Sequence, residues 1–345
     1  MNENQNFIKL QKSIHQKEIE SIKARQEEGS YPKEFDFPLG VQLELTAKCN
    51  LNCKHCYNRS AALNDSKMTI DDWKGVVNDI IAHGGVFQTI ISGGEPLMVG
   101  PKLTEIMNPL HDDGTGFVLI TNGYLVDDKW VNLLKKYRYY WIQVSIDHLL
   151  EAEHDDFREK KGSWKKAVNA ALSFSAAGLP LRIAHSLTPK SIDYLPDFAD
   201  FVYKLGAKSL VCGEIFLSGR VNEHRDLLMS EQDKDKMHAV IKQLQKEYQG
   251  KLTIYPSADE HTDMMYHQQV PNTTCIIRPN GDVRLDCTMP FTMGNVFEKP
   301  FSTIWKEQGN KCWKSEQVNS YIENYASNQL SNTIINHVTE DIRLK

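Results

Sequence analysis

The chain of 345 residues is short of several things at once. No apolar run approaches the roughly 18–20 residues that a membrane-spanning helix needs, which excludes a helical membrane protein. Charge of neither sign dominates. The 40 Lys and Arg stand against 45 Asp and Glu, a net charge of −5, so there is no general field for nucleic acid or an anionic membrane surface. The opening Met1-Asn2-Glu3-Asn4-Gln5-Asn6 has no apolar segment behind it, so no secretory signal is expected. A cytoplasmic location, where thiols stay reduced, is the expectation. No repeat of solenoid type occurs. What remains, at 41% hydrophobic and 25% charged residues, is an ordinary globular composition with a large core and about two domains.

Cysteine is sparse but not scattered. Three of the 7 cysteines lie in Cys49-Asn50-Leu51-Asn52-Cys53-Lys54-His55-Cys56-Tyr57, at spacing C-x3-C-x2-C. They follow Val41-Gln42-Leu43-Glu44-Leu45-Thr46, which alternates apolar and polar like a strand. Thiolates are soft ligands that select iron–sulfur clusters, Zn or Cu(I). Three of them leave a four-iron cluster one ligand short, and an iron without a protein ligand can take a substrate or cofactor.

Residues 1–38 are charged and helix-leaning, with Phe7, Leu10 and Ile14 on one face, Ile19 and Ile22 continuing it, and Pro32 ending it. From Val41 the chain alternates strands and amphipathic helices. Strands are expected at Val41–Thr46, Phe87–Ser92, Phe117–Thr121, Tyr140–Ile146, Leu181–Leu187 and Ser209–Ile215. Helices are expected at Ile70–Ala82, Lys102–His111, Asp127–Lys136, Trp164–Ala177, Ile192–Leu205 and Ser230–Gln249. Six βα units predict an α/β fold, a partial (β/α)6 barrel of TIM type, over residues 39–255. In such folds chemistry gathers at the C-terminal strand ends. There the sequence places the cysteine loop, Gly93-Gly94-Glu95-Pro96, Asn122-Gly123, Ser145-Ile146-Asp147, and Gly213-Glu214 with Ser218-Gly219-Arg220 beyond.

After residue 255 the pattern changes. Cys275-Ile276-Ile277-Arg278 and Val283-Arg284-Leu285-Asp286 flank Pro279-Asn280-Gly281-Asp282, a hairpin signal, and Cys287 follows. Residues 256–313 therefore read as a small α+β subdomain, and 314–345 as a polar tail with some helix potential at Tyr321, Ile322 and Tyr325.

Taken together, C-x3-C-x2-C with Tyr57 after it, Gly93-Gly94-Glu95-Pro96, Thr121-Asn122-Gly123 and Ser145-Ile146-Asp147 resemble the radical S-adenosylmethionine (SAM) superfamily. The resemblance implies that Cys49, Cys53 and Cys56 ligate a 4Fe–4S cluster whose fourth iron binds SAM, which is cleaved to a 5′-deoxyadenosyl radical. It implies SAM contacts from Tyr57, Gly93, Gly94, Glu95, Pro96, Asn122, Ser145 and Asp147. The C-terminal hairpin is similar to the twitch or SPASM extensions of that superfamily, which implies a second, auxiliary 4Fe–4S cluster on Cys275, Cys287 and Cys312. Here the Gly281-to-Cys287 gap is one residue longer than usual, and Cys312 is the last cysteine, so two complete auxiliary clusters are excluded by counting. A remnant subdomain that binds no metal is the competing reading, and zinc on those thiols with His261 or His267 a further one. A peptide substrate (ribosomally made, crosslinked or epimerised) and an electron donor such as flavodoxin or ferredoxin follow as expected partners. Cys212, near the end of the sixth strand, reads first as a buried strand cysteine and second as a hydrogen donor to a substrate radical. A small-molecule substrate, or a non-catalytic iron–sulfur or zinc protein, are the alternatives.

Overall fold

The computed structural model describes residues 3–61, 66–257, 260–326 and 341–345, by backbone alone at 3–14, 260 and 326. The side chains of Phe7, Leu10 and Ile14, and the tail from 327 to 340, lie outside the described residues.

Strands β1 (Gly40–Glu44), β2 (Gln88–Ser92), β3 (Gly116–Thr121), β4 (Tyr139–Ser145), β5 (Leu181–Leu187) and β6 (Ser209–Glu214) are each parallel to the next. The helices between them are α2 (Ile70–Ala82), α3 (Leu103–Asp112), α4 (Asp128–Leu134), α5 (Glu151–Phe157), α6 (Ser163–Ala176) and α7 (Leu195–Lys204). Helix α1 (Glu3–Glu27) precedes the first strand, and α8 (Glu231–Glu247) follows the sixth. The expected helix starts have a local cause. Thr69 accepts from Asp72 N while the Asp72 carboxylate accepts from Thr69 N, and Ser230 with Asp233 repeats the arrangement at α8.

The six expected strands are a core to which the chain adds at both edges. Strand β7 (Thr253–Pro256) joins beyond β6, and β8 (Thr274–Ile277) lies parallel on the far side of β1, with Val41 opposite Cys275. Strands β9 (Asp282–Arg284) and β10 (Phe291–Asn295) continue from β8 as antiparallel neighbours, and β11 (Ile342–Arg343) lies on β10. The result is one open eleven-stranded sheet, ordered β11-β10-β9-β8-β1-β2-β3-β4-β5-β6-β7. The C-terminal segment is thus an extension of the barrel sheet, and the end of the tail supplies a strand. Helices α9 (Glu260–His267), α10 (Phe301–Ile304) and α11 (Glu316–Ala326) complete it. The Asn280-Gly281 turn forms as its residues require, with Gly281 at φ 91° and donating to Arg278 O. Helix α1 packs outside, its Ile19 and Ile22 buried with Val270.

Alternation decides what the sheet offers. Val41, Leu43, Ile91, Leu119, Ile142, Val144, Ile183 and Leu210 are buried under the helices in one core. Their neighbours Gln42, Ile90, Gln143, Ser145, Arg182, Ala184, Ser186, Ser209, Val211 and Tyr255 are half-buried and face the other way, into the barrel lumen.

Candidate functional site

The loop after β1 carries Cys49, Cys53 and Cys56 as free thiols at the C-terminal mouth of the barrel. Three neighbouring loops hold it through backbone. Gly94 N donates to Thr46 O at 2.6 Å and Glu95 N to Lys48 O at 2.9 Å. A Cβ on Gly94 would stand 2.2 Å from Lys48 O, and one on Gly93, at φ 137°, 2.6 Å from Thr46 O. The glycines therefore let the β2 loop press on the start of the cysteine loop. From the other side, a Cβ on Gly219 would stand 2.2 Å from Cys56 O. Arg220 N donates to Cys56 O, and its guanidinium donates to Cys53 O and Ser60 O, both at 2.8 Å. The C-terminal end of α5 closes the third side, where Lys54 N donates to Phe157 O and His55 stacks on the Phe157 ring with centroids 4.4 Å apart.

The polar residues at the strand ends serve this loop more than they face outward. Glu95 is fully buried and accepts from Leu97 N, Thr121 Oγ1 and Asn122 N, which ties the ends of β2 and β3 together. Burial pushes its carboxyl up to about 7, against the pull of those donors. Pro96 opens the short turn of helix that follows. Asn122 Nδ2 reaches Asn50 Oδ1 at 2.9 Å and Cys49 Sγ at 3.8 Å. Asp147, expected to meet SAM, instead accepts from Arg158 Nε at 2.5 Å and from Ser186 N at 2.8 Å, and Arg158 Nη1 lies 3.7 Å from Cys53 Sγ. Its carboxylate is spent on positioning an arginine. Arg158 was missed in the sequence because α5, Glu-Ala-Glu-His-Asp-Asp-Phe, has no apolar periodicity to announce it. Ser145 is half-buried on the lumen face.

Tyr57 carries the site into the C-terminal hairpin. Its hydroxyl donates to Glu44 Oε1 at 3.0 Å, beside Asn58 Nδ2 at 2.9 Å, and its carbonyl accepts from Ser218 Oγ at 3.1 Å. The hydroxyl is committed to Glu44. Glu44 Oε2 lies 3.5 Å from Arg278 Nε, and Arg278 Nη1 donates to Asp341 Oδ2 at 2.5 Å. A buried chain of charge thus links β1, the hairpin and the last residues.

The residues fit a 4Fe–4S group at Cys49, Cys53 and Cys56. Burial pushes the Cys49 thiol up to about 12, against a backbone hydrogen bond from Leu51, and the Cys53 thiol up to about 11, against the pull of Arg158. Thiols so placed ionise only when bound cations compensate their charge. The N–H groups of Arg158 and Asn122 already point at two of the sulfurs. Among the described residues no three His, Cys, Asp or Glu side chains converge on one ion position. Three thiolates that each take a different iron have no need to.

Of the three cysteines expected on the auxiliary cluster, Cys275 and Cys312 are neighbours, and Cys287 stands at the end of the hairpin. Cys275 lies on the helix side of β8, buried in the main core, with Cys312 as its charged neighbour. Asn272 Nδ2 is 3.5 Å from Cys312 Sγ. Cys287 stands elsewhere, beyond β9, where Asp286, Arg284, Glu44 and Tyr57 surround it. His267 stacks on Trp313 and His261 on Tyr325, so neither completes a thiolate set. Cys212 is misplaced for the donor role. It is fully buried in the main core with Leu210 and opposite His185, which stacks on Phe198 of α7. Its thiol faces the helices, away from the lumen.

Residues 43–202 match the family model of the Radical SAM superfamily, and residues 269–327 that of SPASM, an iron-sulfur cluster-binding domain. The antilisterial bacteriocin subtilosin biosynthesis protein AlbA of Bacillus subtilis is 28% identical over 287 residues, covering 82% of this chain and 63% of AlbA. The chain thus spans less than two thirds of that relative. AdoMet-dependent heme synthase of Methanosarcina barkeri is 26% identical over 293 residues, covering 78% of this chain and 82% of the synthase. Among solved structures, Streptococcus suis SuiB bound to precursor peptide SuiA superposes with TM-score 0.64 at 17% identity, over 80% of this chain and 66% of SuiB.

Proposed function

The chain belongs to the radical SAM superfamily and carries a SPASM region after its barrel, and on that premise we propose that it is a peptide maturase. The reading is that it cleaves SAM reductively and uses the radical to take a hydrogen atom from a ribosomally made peptide. A 4Fe–4S cluster on Cys49, Cys53 and Cys56 supplies the electron for that cleavage and the open iron that holds SAM.

The chain's own residues do the rest. Arg158, held by Asp147, and Asn122 present N–H groups to the ligand sulfurs. Gly93, Gly94, Gly219 and Arg220 fix the loop's backbone so that the ligand positions are set before binding. The strands then wall a lumen below the loop, and the observation that carries the peptide reading is its lining. Gln42, Gln143, Ser145, Ser186 and Ser209 are half-buried, neutral and able both to donate and to accept. Such a lining matches the alternating N–H and C=O groups of an extended peptide. A tetrapyrrole bearing several carboxylates would call for several free cations, and of the arginines on this side of the sheet Arg278 and Arg284 are both paired with Asp341. AlbA, a bacteriocin biosynthesis protein, and SuiB, solved with a precursor peptide, support the same substrate class. A one-electron donor such as flavodoxin or ferredoxin completes the scheme, in a reducing compartment that keeps the ligand thiols free. Of the two expected outcomes, crosslinking is preferred, because Cys212 is turned away from any substrate radical. No helix among the described residues is long and apolar enough to cross a membrane.

The test is anaerobic reconstitution with iron and sulfide, then dithionite and SAM. Formation of 5′-deoxyadenosine is expected, raised further by a peptide substrate. An intact cluster that yields none overturns the enzyme reading.

A further inference from the structure

Arg182 is the second residue of β5 and lies on the lumen face, near the end of the barrel remote from the cysteine loop. Its guanidinium carbon stands 3.6 Å from the centroid of the Trp141 ring and 5.2 Å from that of Tyr255. The three side chains come from β4, β5 and β7, so the stack is built by the sheet itself. Arg182 Nε donates to Ser209 Oγ at 3.2 Å on the neighbouring strand. A guanidinium has five N–H donors, so the remaining four, on its terminal nitrogens, are left to the lumen. No carboxylate pairs with it among the described residues, and the Tyr255 hydroxyl beside it is neutral, burial pushing its pKa up. The residue is half-buried, and burial alone holds its pKa below the ordinary arginine value. A half-buried cation without a carboxylate partner among the described residues, stacked against two rings, is available to an anion that enters the lumen. The planar fork matches a carboxylate edge-on.

We propose that Arg182, Trp141 and Tyr255 form the floor of the substrate chamber and bind a carboxylate of the substrate, contributed by an acidic side chain or a C-terminus. The assignment rests on the reading of the lumen as a substrate chamber. It also sets a length. From Arg182 to the end of β5 at Leu187 is five residues, roughly 16 Å at about 3.3 Å per residue. An extended peptide anchored at Arg182 therefore presents a residue about four or five positions away to the radical-generating end.

The test uses three small probes on the reconstituted protein: N-acetylglutamate α-amide (side-chain carboxylate), N-acetylglutamine (α-carboxylate) and N-acetylglutamine amide (neither). Tryptophan emission is followed, with Trp141→Phe identifying the contribution of that ring. A saturable response to either carboxylate probe is expected, tenfold or more weaker in Arg182→Gln, weakened to a lesser degree in Arg182→Lys, which keeps the charge and loses the fork, and absent with the neutral amide. Which of the first two probes responds tells the side chain from the C-terminus. No response to either carboxylate, an equal response to the neutral amide, or an unchanged response in Arg182→Gln overturns the proposal. Thermal melts of both variants show that the fold is kept. A separate selection of random amidated 12-mers on the same protein addresses the peptide reading. Retention of no peptide counts against that reading and leaves the titration to decide the carboxylate site. Retained peptides without an Asp or Glu preference that Arg182→Gln removes count against a side-chain carboxylate at Arg182.

Discussion

Replacing Asp147 by Asn tests whether the cysteine loop is held by a buried charge pair. Asp147 is 4% exposed and Arg158 6%, and their 2.5 Å contact is backed by Ser186 N on the second carboxylate oxygen. Asn keeps the shape and removes the charge, which leaves the Arg158 guanidinium buried beside Cys53 without a counter-ion. Breaking a buried pair in this way costs about 3–5 kcal/mol, whereas an exposed pair would cost below about 1 kcal/mol. At roughly 2 °C per kcal/mol for a chain of this size, Tm should fall by about 6–10 °C. The pH dependence has a definite sign. Burial pushes the Asp147 carboxyl up, but Arg158 and the imidazoles of His55, His154 and His185 outweigh it and hold it below the usual carboxylate range. A lowered folded pKa gives stability that is complete above the unfolded value of about 3.9 and lost as pH falls through the folded one. The deficit of Asp147→Asn should therefore be constant from about pH 8 to pH 5 and shrink only below about pH 4. Anaerobic thermal melts of wild type, Asp147→Asn, Arg158→Met and the double variant measure it. The double variant should recover most of the loss, because no unpaired charge remains. A single-variant shift below about 2 °C, or a double variant as unstable as the sum of the singles, would refute the reasoning.

Gly94→Ala should lower the iron content and visible absorption of the reconstituted protein, since the new Cβ meets Lys48 O at 2.2 Å and costs about 1–3 kcal/mol of overpacking in the loop. Gly75→Ala is its control: nothing lies within 4 Å of that Cβ in α2, and the helix should gain about 1 kcal/mol. Cys212→Ala should leave deuterium incorporation from deuterated water into any product unchanged, at a stability cost of about 1 kcal/mol, and loss of incorporation would restore the donor role. Cys287→Ser should lower the iron count by about four per chain, because the match to an iron-sulfur cluster-binding domain takes in Cys275, Cys287 and Cys312; a wild-type count would show that Cys287 is not a ligand.

What the sequence disclosed depended on the range of the signal. The six strands from β1 to β6 were legible to within about two residues because each is a short alternating or continuously apolar run, and a helix follows each of them. The cysteine loop and the glycine pair were legible because spacing and residue type carry their chemistry locally. Strands β7 and β8 were not read as barrel strands. Thr253–Pro256 and Thr274–Ile277 are four residues each, and whether such a piece starts a separate subdomain or completes the parallel sheet depends on a distant partner, which for Thr274–Ile277 lies more than 200 residues away. Side-chain direction was the harder loss. Cys212 sits on the expected strand and faces the core, and one position of register separates core from lumen. Asp147 and Asn122 were placed correctly at strand ends and assigned a ligand. In the fold both turn inward, to an arginine on a helix without periodicity and to the cysteine loop itself. The strand-end polar residues are therefore mostly spent on holding the three thiols in position. The groups left over for the substrate are the lumen-facing ones, where Arg182, stacked between two rings and unpaired, is the residue that the alternation of β5 predicts and no motif marks.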